Sequence, residues 1–185
     1  MSSLIEKSYW YKEKAKLLLE ESNLIKFLKN YGDVEIVGSY AYDLMTHGDI
    51  DIHVFNPRIN KDKTIEIFHK LIKEKSKFFY AFMFGNWVNF SKKEFPYGYY
   101  LGLKSRRYHT KWKIDIWFIR KKEHRTRMIN NLIKNKLNNK NKEIILKLKV
   151  FRNKNYPKLD STIIYKAVLS GKVNTIKDFV NYINK

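Results

Sequence analysis

Cysteine is absent from this 185-residue chain, so neither a disulfide framework nor a thiolate zinc site is open to it, and a reducing interior is its natural setting. Nowhere do about 18 apolar residues run together, which excludes a hydrophobic membrane-spanning helix. Met1-Ser2-Ser3-Leu4-Ile5-Glu6 lacks the basic start and apolar run of a secretory leader, so a soluble, cytoplasmic protein with no membrane partner is expected. There is no internal repeat, and the five histidines show no spacing that matches a zinc site. Acids are scarce: 18 Asp and Glu face 38 Lys and Arg.

The resulting formal charge of +20 points to polyanionic partners such as RNA, DNA or a nucleoside triphosphate. It is unevenly placed. Residues 120–158 hold 14 Lys or Arg against Glu123 and Glu143, a net of +12. A competing origin is coding bias, since Asn130–Lys142 contains six Asn and four Lys, the usage of an AT-rich coding sequence. Either origin leaves a basic surface. The length suits one core with an extension, which we read as residues 1–120 and a basic helical region, 121–185.

Hydrophobic spacing predicts one long helix or two shorter ones over residues 3–29, a strand at Val34–Val37, a short helix near Tyr40–Leu44 and a packing helix at Lys61–Lys75. Phe78–Met83 and Trp87–Phe90 read as strand segments separated by Gly85-Asn86, and Glu94–Gly98 as a loop. Tyr99–Leu103 and Trp112–Ile119 read as an antiparallel pair joined by the basic loop Lys104–Lys111. From Glu123 the pattern is helical, with Ile144, Ile145, Leu148 and Val150 on an apolar face. A Pro157 break precedes Ser161–Leu169, ended by Gly171, and Asn174–Ile183, opened by an Asn cap. The class is α+β: a mixed twisted sheet, packing helices and a helical C-terminal extension.

One stretch carries chemistry. After Val34–Val37 come Gly38-Ser39, nine residues, and then Asp49-Ile50-Asp51-Ile52-His53-Val54. Strand alternation puts Asp49, Asp51 and His53 on one face and Ile50, Ile52 and Val54 on the other. Two carboxylates so close suit a hard cation, which relieves their repulsion. Gly38 permits close backbone approach, and Ser39 offers N–H and hydroxyl to a phosphate. By the same alternation Trp112, Ile114, Ile116 and Phe118 share one face, and Lys113, Asp115 and Trp117 the other. Asp115 then needs a metal, a cation or water; a salt bridge to Lys113 or Arg107 is the plainer alternative.

Gly-Ser, nine residues, Asp-x-Asp between aliphatics, and a later acid on an apolar strand resemble the signature of the polymerase-β-type nucleotidyltransferase superfamily, over residues 30–120. The resemblance implies magnesium-dependent transfer of a nucleoside monophosphate from a triphosphate to an acceptor hydroxyl, releasing pyrophosphate. It assigns Asp49, Asp51 and Asp115 to two Mg2+ ions, with Mn2+ as a substitute, and gives Asp115 the acceptor's proton. Gly38 and Ser39 would hold phosphates. A cation for the leaving pyrophosphate would come from Arg106, Arg107, Lys111 or Lys113, which sequence does not distinguish. No base-recognition signature is visible, so ATP is the default donor. The charge favours an RNA end or protein hydroxyl over a cationic small molecule as acceptor. His53 is a candidate for orienting an acid or touching the nucleotide, and Tyr97, Tyr99, Tyr100 and Trp117 for stacking on a base. The alternative is a non-catalytic protein on this fold that binds RNA or a partner through its basic helices.

Overall fold

A computed structural model describes residues 3–88, 96–120 and 124–184, with 124–127 by backbone alone. Five strands form one sheet in the order β1-β2-β5-β4-β3: β1 Asp33–Val37, β2 Gly48–Phe55, β3 Ala81–Asn86, β4 Gly98–Ser105 and β5 Trp112–Ile119. Only β2 and β5 run parallel; the other neighbours are antiparallel. The parallel pair is central because its inner face is apolar throughout. Ile50, Ile52 and Val54 of β2 and Ile114, Ile116 and Phe118 of β5 are all fully buried, each worth about 1.5–3 kcal/mol.

That inner face is covered by helices α1 (Leu4–Glu21), α2 (Leu24–Lys29) and α4 (Lys61–Lys75), through Ala15, Leu18, Leu28, Ile67 and Leu71. Residues 3–29 thus form two helices, broken where Asn23 adopts a positive φ of 50°. Helix α4 has the predicted bounds, and Asn60 caps it by accepting from Lys63 N–H. A second core joins α5 (His124–Lys136), α6 (Asn139–Asn155), α7 (Thr162–Leu169) and α8 (Ile176–Ile183). Leu4, Ile5 and Leu44, all from before residue 121, pack into it.

Several expectations need correction. Phe78 and Phe79 are not strand: both amides donate to Lys75 O, extending the exit of α4, and pairing starts where Tyr80 N–H donates to Lys104 O. Gly85 and Asn86 do not interrupt β3 but end it, opposite Tyr100 and Tyr99. Asn89 and Phe90 of the second expected segment, Glu94 and Phe95 of the expected loop, and Glu123 lie outside the described residues. The short helix α3 is a single turn, Gly38–Ala41, so it offers backbone N–H groups rather than a long dipole. On α6 Ile145 and Leu148 are buried and Ile144 packs against the core, but Val150 is exposed, and Lys149 is buried beside Leu146.

Helix α8 is capped by Thr175, not Asn174. The Thr175 hydroxyl accepts from Asp178 N–H, and the Asp178 carboxylate accepts from Thr175 N–H. Thr175→Ala should therefore cost about 1 kcal/mol in urea denaturation, and Asn174→Ala less than about 0.5 kcal/mol.

Candidate active site

The sheet's other face carries the polar residues, and register aligns them in rows. Asp49 lies beside Lys113, which lies beside Lys104 and then Ala81. The next row is Val37, Asp51, Asp115, Gly102 and Met83, and the third is Glu35, His53, Trp117, Tyr100 and Gly85. Asp51 and Asp115 are thus direct neighbours across the parallel pair, on the same face as Asp49. Helices α6 and α7 stand opposite, and a cleft of about 980 Å³ lies between, lined by all three acids and by Gly38, Ser39, Lys113, Lys149 and Arg152.

Gly38 is required where it is. Its φ is +69°, and a Cβ there would sit 2.1 Å from Asp51 Oδ2. The turn that presents Ser39 is therefore pressed against the acid on the neighbouring strand, and Ser39, itself buried, faces the same cleft.

Crowding sets the protonation of the acids. Burial, then Asp49 and Asp115, push Asp51 up to about 8. Asp49 is also raised by burial, with Lys113 working against the shift. Asp115 is held at both oxygens: the Tyr100 hydroxyl donates to Oδ1 at 2.7 Å, and Lys113 Nζ donates to Oδ2 at 2.5 Å. Burial opposes the Lys113 ammonium, but that hydrogen bond and the three acids raise its pKa overall. Three carboxylates give the hard oxygen donors that magnesium takes, and Asp51 would exchange a proton for it. Among the described residues no three His, Cys, Asp or Glu side chains already form a cation cage.

Of the four expected phosphate cations, the structure brings Lys113 to the acids. Arg106, Arg107 and Lys111 do not line the cleft. Arg107 donates to Lys77 O and stacks over Phe78, with its guanidinium 5.1 Å from the ring centroid, and Arg106 stacks over Tyr80 at 5.0 Å. His53 is buried on the site's face, and burial lowers its pKa to about 4, so it is neutral. Of the candidate stacking residues, Tyr100 and Trp117 reach the cleft, Tyr97 is exposed, and Tyr99 belongs to the core on the opposite face.

Sequence reading missed the opposite wall. Lys149 is 3% exposed and reaches 105 residues back to donate to Leu44 O at 2.7 Å; it also donates to the Tyr165 hydroxyl at 3.3 Å. Burial lowers its pKa to about 8, against the pull of Asp49 and Asp51. Beside it, Arg152 Nε is buried without a hydrogen-bond partner.

These shifts fix a sign. Asp51 is raised above its unfolded value, so its contribution to stability is fully present below about 3.8 and is lost as pH rises through about 8. The lowered His47 and His53 oppose this only below about 6.5, and the lowered Lys149 only above about 8. Between pH ~6.5 and ~8 the metal-free protein should lose melting temperature as pH rises, and Asp51→Asn should flatten that slope.

No protein-family model matches the chain, and no curated protein does either. Solved structures do. The Cid1 poly(U) polymerase matches at a TM-score of 0.54 and 22% identity, over 86% of this chain and 48% of its own. A cytoplasmic RNA terminal U-transferase matches at 0.54 and 21%, over 90% and 49%. The polymerase core of TRAMP, an RNA surveillance complex, matches at 0.58 and 17%, over 91% and 52%. This chain spans about half the length of each. What they share with this chain, at these identities, is the fold: an α+β nucleotidyltransferase fold, with a mixed sheet and packing helices.

Proposed function

We propose that the protein transfers a nucleoside monophosphate from a nucleoside triphosphate, ATP by default, to an acceptor hydroxyl. The observation that carries this reading is the alignment of Asp49, Asp51 and Asp115 on one sheet face, across a cleft from Lys149 and Arg152 and beside Gly38 and Ser39. A triphosphate needs cations on its oxygens and N–H or hydroxyl donors at its tail, and the two walls offer both. The similar Cid1 poly(U) polymerase was crystallised with magnesium and 3′-dATP bound, which supports the same class of ligand here.

In this reading the acceptor oxygen attacks the α-phosphorus, the bond from that phosphorus to the bridging oxygen breaks, and pyrophosphate departs in line. Asp115 takes the acceptor's proton, after the approaching substrate frees its Oδ1 from Tyr100 or its Oδ2 from Lys113. Lys113 then turns to phosphate, joining Lys149 and Arg152 against the charge of the leaving group. Ser39 and the backbone at Gly38 hold the terminal phosphates. Asp49, Asp51 and Asp115 would hold magnesium, which would supply Lewis-acid charge to the acceptor hydroxyl and the triphosphate. An RNA end or a polypeptide hydroxyl is the acceptor class that the charge of +20 admits most readily.

One observation favours the other reading, a non-catalytic RNA-binding protein: both oxygens of Asp115 are already occupied. Incubating the protein with magnesium, each labelled triphosphate in turn, and RNA or cell extract decides between them. Transfer predicts label in an acceptor. It also predicts a turnover about 10²–10⁴-fold lower in Asp115→Asn with triphosphate affinity nearly unchanged, and weaker triphosphate binding in Lys149→Met. Failure of every triphosphate to label anything, with RNA still bound, favours the second reading.

A further inference from the structure

The loop between β4 and β5 holds charge that the cleft does not use. Lys104, Arg106, Arg107 and Lys111 follow one another with no acid between them, and none of the four lines the cleft. The exit of α4 comes to the same place: Tyr80 N–H donates to Lys104 O, and the Arg107 guanidinium donates to Lys77 O at 3.2 Å. Cations there lie over rings. Arg106 stands over Tyr80, Arg107 and Lys77 both stand over Phe78, and Lys14 of α1 stands over Tyr108, at 5.0–5.7 Å from the ring centroids. Among the described residues none of these four cations has a carboxylate within ion-pair distance, and Glu21 acts on the Tyr108 hydroxyl.

The loop is bent to produce this arrangement. Tyr108 and His109 are successive non-glycine residues with φ of 56°, in the left-handed region that a Cβ disfavours. The backbone of Arg107 is tied at both ends. Its carbonyl accepts from Trp112 Nε1 at 2.9 Å and from Thr110 N–H at 3.1 Å, and its N–H donates to the hydroxyl of the buried Ser105 at 3.3 Å. Such strain persists only where the surroundings over-determine it, and it clusters where the resulting shape is used. Here the shape sets two consecutive guanidiniums over two rings. Apart from the one that Arg107 gives to Lys77 O, their in-plane N–H groups stay available to oxygen ligands.

We propose that this flank is a separate, non-catalytic binding surface whose occupant is the phosphate backbone of a base-paired nucleic acid. Planar donors held in a fixed fork match phosphate oxygens, and such contacts carry no sequence preference. The rings are not stacking platforms for bases. Phe78 and Tyr108 pack against the sheet core and carry cations besides, so they offer no open face of the kind that single-strand binding uses, and a stem with paired bases asks for none. The same inward packing leaves little apolar surface to enter a bilayer or to anchor an acidic polypeptide. Tyr80 shares the parity of Phe82 and Phe84, which pack on the helix-covered face, so the occupant stands clear of the acids and does not depend on the transfer reading.

The test is fluorescence anisotropy of the full chain in EDTA with a fluorescein-labelled RNA hairpin and, in parallel, a DNA hairpin of the same stem; the tighter of the two names the source of the backbone. Arg106→Gln should weaken binding severalfold and lower the slope of log affinity against log salt by about one, and Arg106→Gln with Arg107→Gln by about two. Tyr80→Leu keeps every charge and should still weaken binding about threefold, because it releases Arg106. Lys172→Ala, exposed between α7 and α8, should match the wild type. A stem of unrelated sequence should show the same losses, and saturating ATP at matched ionic strength should leave the stem bound. If a melting curve shows that the double variant fails to fold, Arg106→Gln decides alone. Wild-type affinity and slope in the arginine variants, an equal loss in Lys172→Ala, or release by ATP would overturn the proposal. So would release by polyglutamate or anionic vesicles as readily as by unlabelled stem of the same charge.

Discussion

The parallel pairing of β2 with β5 sets Asp51 directly beside Asp115, and every other polar feature of the site answers that juxtaposition. The pairing is driven from the opposite face, where six fully buried aliphatic and aromatic residues forbid a one-residue slip. Carboxylates are brought together because their neighbours one residue away must be buried. Burial first, and then the neighbouring acids, raise the pKa of Asp51, and Lys113 in the adjacent row offsets part of that rise.

The helical wall answers the same charge from across the cleft. A lysine as buried as Lys149 is retained on the buried face of a helix only with partners, and here it has the Leu44 carbonyl, the Tyr165 hydroxyl and the field of Asp49 and Asp51. Leu44 lies in the segment between Ser39 and Asp49, so the bond from Lys149 also ties that loop to α6. Asp43 is fixed there too: it pairs with Lys12 of α1 and, at 3.6 Å, with Lys142 of α6, and its carbonyl accepts from Ser8. The loop carrying the Gly-Ser turn is thereby anchored to both cores, which gives the cleft fixed walls.

Much of this was legible in the sequence, for a definite reason. Period-two alternation in Asp49–Val54 and Trp112–Phe118 fixes which side chains share a face, whatever the partners, so the polar face of each strand could be read directly. Adjacency of β2 and β5 could not be, because β3 and β4 intervene in the chain and register is a long-range property. Lys149 was hidden because hydrophobic periodicity treats a lysine as solvent-facing and has no way to weigh a buried partner such as the Leu44 carbonyl. Phe78 and Phe79 misled in the opposite sense: aromatic residues suit a strand, yet here the backbone bonds to Lys75 O hold them in the exit of α4. The β4–β5 loop is basic as expected, but Phe78 and Tyr80 draw its two arginines off the cleft.

The central claim is that the aligned acids and the buried lysine are two halves of one triphosphate site. A crystal structure of the protein soaked with magnesium and a non-hydrolysable ATP analogue tests it most directly. The account predicts the triphosphate between Ser39 and Lys149, with metal on Asp49 and Asp51 and with Asp115 released from Lys113 or Tyr100. A nucleotide bound elsewhere, or a cleft in which Asp115 keeps both partners at saturating magnesium and analogue, would contradict it.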